Sequence, residues 1–400
     1  MAFLKDGKKN KCCGCSACAS ICPSGCISMR EDEEGFLYPQ LNKDKCISCG
    51  LCEKVCPEGY KEFYKPEGIE AYIGINKDRA VVEKSTSGGA FSALCDQLTG
   101  RGYVVYGAEL DEKLKVRHIP AHKPAECEKF RKSKYVQSDM SSCFADIAKL
   151  LKEDKKIAFS GLPCQCAALK EYLKLKSCSC DDLLFISVLC RGVPPQKLFD
   201  IYISETEKKY GKKISTYEFR NKRSDHGKGD IRSARMIFED GSEKILFKEE
   251  DPYLKGYYKR LFLRPSCGEC SFARKERVAD ITLSDHWGLE EECAGLDVSL
   301  GASLIMAVSD KGKELVEDVK EELTLIAVDK DKALSAQTIT SKPVYMHENR
   351  DRFFSMLKKK SFYEAVEKNA RPPLRRMIRI LMQEAKKRFP AGGKAKGGGK

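Results

Sequence analysis

The sequence has no long hydrophobic run. Residues 1–11 are mostly Lys, Asp, Gly and Asn and lack the apolar segment of a secretory signal. No stretch approaches the roughly 18 consecutive apolar residues that a membrane span needs. We therefore expect a cytoplasmic protein without a transmembrane segment. Apolar residues make up an ordinary 42% of the 400 residues, but this length exceeds what one hydrophobic core usually serves. A small module joined to a larger one is expected.

Cysteine, in contrast, is abundant. The chain has 21 cysteines, and in a cytosolic protein reductants keep such thiols from forming a disulfide framework. Ligation of metal ions or iron-sulfur clusters explains so many thiols better.

The N-terminal cysteines repeat a motif of cluster ligands. The pattern C-x2-C-x2-C-x3-C-P occurs at residues 12–23 and again at residues 46–57. In paired motifs of this kind the first three thiolates hold one 4Fe-4S cluster, and the fourth, beside the proline, holds the other. The expected ligand sets are Cys12, Cys15, Cys18 and Cys56 for one cluster, and Cys46, Cys49, Cys52 and Cys22 for the other. Zinc is the alternative, although its ligands usually come in two pairs with a long spacer.

This segment resembles bacterial-type two-cluster ferredoxins over roughly residues 5–60. We predict an α+β ferredoxin-like two-cluster module at residues 1–60, in which small residues such as Gly14 and Gly50 let backbone amides approach the cluster sulfides. Two further cysteines, Cys13 and Cys26, are predicted to serve in packing.

The larger domain shows alternating strand and helix patterns. Residues 61–84 are predicted to be a linker and the start of this domain, with a first strand near 71–75. Further strands are expected near 103–108, 157–161 and 183–189, and helices near 142–151 and 165–173. This alternation predicts an α/β domain with a mixed, largely parallel sheet at residues 85–350. Its N-terminal part lies at about 71–155 and its C-terminal part at about 156–350.

Four more cysteines follow predicted strands or sit in a turn. Cys164 and Cys190 end two apolar runs, and the carboxyl ends of parallel strands share one edge, where ligands bind. Cys267 and Cys270 form a C-x2-C turn, so the four thiols can close a third 4Fe-4S site. A tetrahedral zinc, inert thiols, or other ligands are the alternatives; the other candidates are Cys166, Cys178 and Cys180.

A hydroxyl-rich loop with a glycine pair, Ser85 to Gly89, precedes a helical pattern. Such a loop can direct backbone amides and the helix dipole at a phosphate, although it also serves as an ordinary helix start. His286, at the end of a strand beside the single tryptophan, is interpreted as a hydrogen-bonded core residue more readily than as a catalyst. No catalytic residue is assigned.

The C terminus is strongly basic. Residues 371–400 hold ten Lys and Arg against Glu384 alone, out of a formal charge of +13 for the chain. We predict a basic amphipathic helix and a flexible tail over residues 351–400. The helix either packs on its own domain or touches an acidic partner or anionic lipid. No nucleic-acid role is expected.

Several motifs occurring in order resemble the beta subunit of coenzyme F420 hydrogenase/dehydrogenase over roughly residues 70–350. They comprise residues 85–90, 135–138, 161–165, 190–194, 219–222, 267–270 and 280–288. The resemblance implies FAD and a 4Fe-4S cluster held by Cys164, Cys190, Cys267 and Cys270. The flavin contacts that we expect are Ser85, Thr86, Ser87, Gly88, Gly89, Gln137, Ser138 and Lys222. Arg191 stands where members of the family often have histidine, which leaves the substrate open.

The resemblance also implies an activity. A flavin can accept electron pairs from a hydride carrier and pass single electrons to clusters. The chain is therefore expected to be an oxidoreductase that moves electrons between coenzyme F420 or a similar carrier and a redox partner such as a ferredoxin or a hydrogenase or dehydrogenase subunit. The alternatives are a flavin-dependent reductase of another small molecule, in polysaccharide or pigment metabolism, and an electron-relay subunit without catalysis of its own.

Overall fold

One mixed sheet of eight strands organises most of the chain. The structure is a computed structural model that describes residues 3–222 and 232–370. Its strands in these ranges are β1 (Ile27–Glu31), β2 (Leu37–Leu41), β3 (Glu70–Asn76), β4 (Val104–Leu110), β5 (Val116–Ala121), β6 (Ile157–Gly161), β7 (Leu183–Val188), β8 (Ile214–Asn221), β9 (Ser233–Phe238), β10 (Glu243–Phe247), β11 (Ile281–Asp285), β12 (Ser303–Ala307) and β13 (Leu323–Val328).

Helices cover both faces of this sheet. The α-helices in the same ranges are α1 (Phe3–Asp6), α2 (Ala17–Ile21), α3 (Leu51–Lys54), α4 (Arg79–Lys84), α5 (Ala90–Gly100), α6 (Pro124–Cys127), α7 (Cys143–Lys152), α8 (Pro163–Leu175), α9 (Gln196–Tyr210), α10 (Pro252–Tyr258), α11 (Asp310–Asp318), α12 (Lys330–Ala336), α13 (Arg350–Leu357) and α14 (Phe362–Asn369). In the described part of the chain, no helix combines the length and the apolar character that a membrane crossing demands.

The strand order of the large sheet is β13-β3-β12-β11-β7-β6-β4-β5. The prediction of a mixed sheet is confirmed, but "largely parallel" needs correction. Only β11, β7, β6 and β4 pair in parallel, and the other four pairings are antiparallel. The β4–β5 connection shows the reason at one edge, since five residues cannot make the crossover of a dozen or more that parallel strands require.

The central strands β6 and β7 form because they are short apolar runs that can be buried on both faces. Leu184 and Ile186 of β7 pack on one face in a core with α5 and α11. Leu183 and Phe185 point to the opposite face, in a core with α7 and α8. Packing on both faces holds the parallel strands in position. It thereby also sets the position of the sheet edge at which β6 and β7 end.

A second, antiparallel sheet has the order β10-β9-β8. Its inner face packs on α9, α10, α13 and α14 in an aromatic core. Residues 351–370, which the sequence assigned to the tail, therefore lie partly in this core through side chains such as Phe353 and Phe362. The rest of the predicted basic helix and tail, residues 371–400, lies outside the described residues.

The N-terminal segment has α+β composition, with the β1–β2 hairpin and three short helices. Its side chains join two different cores. Ala17 and Ile21 pack with α7 and α8, whereas Phe36 and Tyr38 pack with the second sheet and its helices. This segment, called the module below (residues 3–60), is thereby held between two layers of the rest of the chain, called the body.

Candidate functional site

Four thiols from three segments line one cavity at the carboxyl edge of the parallel strands. Cys164 lies in the first turn of α8, directly after β6, and Cys190 lies two residues after β7. Cys267 and Cys270 belong to a 3-10 turn at Pro265–Glu269 and its end. The cavity measures about 70 Å³, several times the roughly 10–15 Å³ that one water needs. The structure thus brings the four predicted ligands of the third cluster around a space larger than a single ion requires.

The surroundings of this cavity suit a negatively charged group. Burial raises the pKa of Cys267 to about 11 and also raises the pKa of Cys190, so these thiols stay protonated near neutral pH unless a bound cation displaces the protons. Two buried arginines, Arg264 and Arg277, also line the cavity. Nη2 of Arg277 has no hydrogen-bond partner among the described residues. An anionic cluster held by thiolates fits this combination of thiols and cations.

Single-ion geometry is not what the structure shows. Within residues 3–222 and 232–370, no three Cys, His, Asp or Glu side chains converge closely enough to hold one metal ion. In a tetrahedral zinc site the sulfurs would all lie about 2.3 Å from one point. In a cubane the thiolates bind four separate corners.

The two ligand loops of the module share one backbone conformation. Gly14 and Ser48, at equivalent positions of the repeat, have φ values of +68° and +55°, and Ser16 and Gly50 have +68° and +71°. Left-handed conformations at Ser16 and Ser48 are strained and usually persist only where function requires them. The repeat in sequence is therefore also a repeat in structure.

The module's own cysteines fall into an inner and an outer group. A second cavity, of about 30 Å³, is lined by the predicted first set, Cys12, Cys15, Cys18 and Cys56, and also by Cys52. Cys49 of the second set is exposed. Cys22 of the second set lies with its Sγ 3.3 Å from that of Cys26, which is buried as predicted for a packing residue.

Cys13 separates the two cavities. The same wall, formed by Lys11, Cys13, Cys56 and Pro57, lines both of them. Hydrogen bonding with the thiols of Cys15 and Cys164 holds the pKa of Cys13 well below its usual range. The proximity of Cys13 to Cys164 could not be predicted, because the body supplies Cys164 from a distant part of the chain.

The alternative ligands lie elsewhere. Cys166 is fully buried in the core between α8 and the sheet. Cys178 lies beside the carbonyl oxygen of Ala148, and Cys180 is exposed. None of the three lines the cavity.

The predicted flavin loop is fixed by contacts within the chain. Nζ of Lys222 donates to the Ser87 carbonyl oxygen at 2.7 Å, and the Thr86 hydroxyl accepts from the Ser133 amide at 2.8 Å. Gly88 packs against the backbone of β3 and β12, and Gly89, with φ +83°, is the N-cap of α5. The first amides of α5 lack intrahelical acceptors, as at every helix start.

Two further predicted flavin contacts, Gln137 and Ser138, form hydrogen bonds with other parts of the chain. Gln137 donates through Nε2 to the Cys13 carbonyl oxygen at 2.7 Å and accepts from Arg264 through Oε1 at 3.0 Å. It therefore lines the thiol cavity. The Ser138 hydroxyl accepts from Nε2 of Gln165 at 2.9 Å.

A buried ion pair lies next to the loop. Nη1 of Arg220 donates to Oδ2 of Asp285 at 3.1 Å, and the same oxygen accepts from the Trp287 indole at 2.9 Å. Although burial opposes ionisation, the guanidinium and its hydrogen bond hold the pKa of Asp285 below its ordinary value. Nε and Nη2 of Arg220 have no partner in the described part of the chain, although the residue is only 6% exposed. Such donors suit an anionic ligand.

His286 matches its structural interpretation. It is buried, its Nδ1 lies 3.1 Å from the Ala302 carbonyl oxygen, and its ring stacks on Trp287. Arg191 donates to Oε1 of Gln337 at 3.1 Å and so is held in place by the chain itself.

Two family models match parts of the chain. Residues 11–60 match the model of the 4Fe-4S dicluster domain, and residues 154–333 match the model of the C terminus of the coenzyme F420 hydrogenase/dehydrogenase beta subunit. The beta subunit of F420-dependent formate dehydrogenase 1 from Methanococcus maripaludis is 26% identical over 244 residues, which are 61% of this chain and 57% of that protein. The chain thus spans little more than half of that relative.

Among solved structures, a chain of the F420-reducing NiFe hydrogenase complex from Methanosarcina barkeri is 15% identical. The likeness covers 78% of this chain and 92% of that one, with a TM-score of 0.43. On the sequence matches, residues 154–333 are similar to the C terminus of the coenzyme F420 hydrogenase/dehydrogenase beta subunit, and residues 11–60 are similar to a 4Fe-4S dicluster domain.

Proposed function

We propose that this chain exchanges electrons between a two-electron hydride carrier of the F420 kind, bound at FAD, and single-electron 4Fe-4S clusters that connect to a redox partner protein. The observation that carries this proposal is the shared wall of Cys13, Cys56 and Pro57 between the two thiol-lined cavities. Electron transfer needs redox groups in close succession, and this wall places two groups of candidate ligands side by side.

We assign the thiols to three cluster sites. Cys164, Cys190, Cys267 and Cys270 would hold the cluster of the body, and the module would hold two more through its predicted sets. The exposed Cys49 puts one of these sets at the surface, where a partner protein has access. When bound, the clusters supply one-electron chemistry and the flavin supplies two-electron chemistry.

The loop at Ser85–Gly89 is the proposed flavin site. The start of α5 offers amides and a positive dipole end to a phosphate. Lys222 orders the loop through the Ser87 carbonyl oxygen. Two donors of Arg220, which lack a partner among the described residues, are available to a negatively charged part of flavin or substrate. Gln137 and Ser138, which the family resemblance also suggests, lie nearer the cysteines of the body.

The partner and the substrate are proposed from the family. The Methanococcus relative is named as the beta subunit of an F420-dependent formate dehydrogenase, so we propose that this chain also works with a larger redox enzyme or with a ferredoxin. The proposed small-molecule substrate is a deazaflavin.

The test is a cofactor count on anaerobically purified full-length chain. Three clusters predict about twelve irons with matching acid-labile sulfide, together with one flavin. About eight irons would remove the cluster of the body. Clusters without flavin would favour a relay subunit, and colourless protein with zinc would overturn the proposal. Bleaching of F420 with a viologen as partner tests the substrate, because a reductase of another compound would bind flavin yet leave F420 unchanged.

A further inference from the structure

A fully buried arginine lies between the module and the body. Arg264 has no exposed surface. Its Nε donates to the Cys12 carbonyl oxygen at 2.7 Å, and its Nη2 donates to the Leu37 carbonyl oxygen at 2.7 Å. Nη1 donates to Oε1 of Gln137 at 3.0 Å, and the guanidinium lies 4.5 Å from the centre of the Tyr38 ring. The residue therefore binds two segments of the module and the body at once.

The charge of Arg264 has no ordinary counter-ion. Its acceptors are uncharged oxygens and Sγ of Cys12, which lies 3.8 Å from Nη2. In the part of the chain that the structure describes, no carboxylate forms an ion pair with it. A buried cation without an anion is costly. This costly charge lies beside Cys12, a predicted cluster ligand.

The guanidinium rests directly on the first ligand loop. A Cβ on Gly14 would lie 2.5 Å from Nη1 of Arg264, so only glycine leaves room there. Arg264 also lines the cavity of the body and, through its carbonyl oxygen, accepts from the Cys267 amide at 2.9 Å. The same residue touches the ligand segments of two neighbouring sites.

We propose that the positive charge of Arg264 raises the reduction potential of the N-terminal cluster held by Cys12 above that of the cluster held by Cys46. This inference rests on the proposed function, since it requires clusters in the module. The reduced cluster carries one more negative charge than the oxidised one, so an unpaired cation in a buried site stabilises the reduced state more. Cys49, in the other set, is exposed to water, which screens charges there.

The chain contains a matched control, Arg350. It is also buried, donates through Nε to the Leu263 carbonyl oxygen at 2.9 Å, and forms a bidentate pair with Glu34 of the module. Its guanidinium lies 5.9 Å from the centre of the Phe36 ring, whereas that of Arg264 lies 5.3 Å from it. Arg350 thus ties module to body as Arg264 does, but among the described residues no hydrogen bond joins it to a cysteine.

The experiment is a redox titration of the full-length, cluster-loaded chain followed by electron paramagnetic resonance. Arg264→Met should lower the potential of one cluster most strongly and leave the cluster held by Cys46 near its wild-type value. The shifted signal should be the one that disappears in Cys12→Ser. Arg264→Lys keeps the charge and should stay closer to wild type, while Arg350→Met should shift none. Both Met variants should lower the thermal unfolding temperature of the metal-free chain, because both lose ties.

Unchanged potentials in Arg264→Met would overturn the inference, as would equal shifts in Arg350→Met or in Arg264→Lys, since the effect would then follow from lost contacts. If Arg264→Met fails to assemble, Gln137→Glu tests the same charge. This variant places a carboxylate against Nη1 of Arg264 and should lower the potential of the same cluster. An unchanged potential would refute the inference. Wild-type protein without iron would instead refute the proposed function.

Discussion

Gly88 shows how tightly the proposed flavin loop is built into the sheet. A Cβ at this position would lie 2.3 Å from the Gly74 carbonyl oxygen and 2.7 Å from the Ser303 amide nitrogen. Both atoms belong to backbone of the adjacent strands β3 and β12, so neither can turn away as a side chain would. We predict that Gly88→Ala destabilises the chain by forcing the loop away from the sheet.

The size of the effect follows from these distances. Ordinary Cβ contacts begin near 3.4 Å, so the backbone must move by about 1 Å, and overpacking of this kind costs about 1–3 kcal/mol. The movement also weakens the hydrogen bond from the Asn76 amide to the Gly88 carbonyl oxygen, now 2.7 Å long, at a cost of about 1 kcal/mol. A loss of about 2–4 kcal/mol in the free energy of unfolding is expected.

Urea unfolding of the metal-free chain, followed by circular dichroism, measures this loss as a lower midpoint at unchanged slope. Gly100→Ala is the control, because Gly100 ends α5, the helix that follows the loop, and its Cβ would meet nothing within 4 Å. It should leave stability unchanged or raise it by up to about 1 kcal/mol. A Gly88→Ala variant as stable as wild type would refute the reasoning.

Three further outcomes are expected. Cys164→Ser should remove about four irons, measured by iron analysis, while Cys178→Ser should remove none; equal losses would argue against the assigned cavity. Burial lowers the pKa of His118 to about 4, so the imidazole takes up a proton more readily in the unfolded chain than in the folded one. The free energy of unfolding should therefore fall as the pH drops from about 6.5 to 4. His118→Phe should flatten this part of the curve of unfolding free energy against pH. Glu34→Gln removes the bidentate partner of Arg350, which keeps only the exposed Asp351 at 3.5 Å, and should cost about 1.5–3 kcal/mol. The loss should be detectable as faster proteolytic release of the module, and an unchanged rate would contradict the pairing.

Much of the body could be predicted, because short apolar runs in the local sequence indicate its central strands. The apolar run at 157–161 is bounded by charged residues and a Gly-Leu-Pro turn, and it forms β6 as predicted. The helix expected at 142–151 is α7, Cys143–Lys152. These elements depend on short-range periodicity, which sequence alone carries.

Other features depend on partners far along the chain. The strand β3 was predicted, but its place between β12 and β13 was not, since no local pattern encodes which strands will flank it. Arg264 precedes the Cys267 motif by three residues, yet its burial against Cys12 results from docking of the module. For the same reason the hydrogen bonds of Gln137 with Cys13 and Arg264 were not predicted.

The position of β3 has a consequence for biosynthesis. Gly74 pairs with Ser303, roughly 230 residues later, and at typical synthesis rates the ribosome needs roughly 10–50 s to cover that distance. Throughout this interval both edges of β3 lack their partner strands, β12 and β13. Exposed strand edges can pair with other chains. The cysteine loops at residues 12–56 emerge before any of this. The nascent chain therefore presents its proposed iron-sulfur ligands long before the sheet that will enclose them is complete. The order of cluster loading and sheet completion is thus set by the topology.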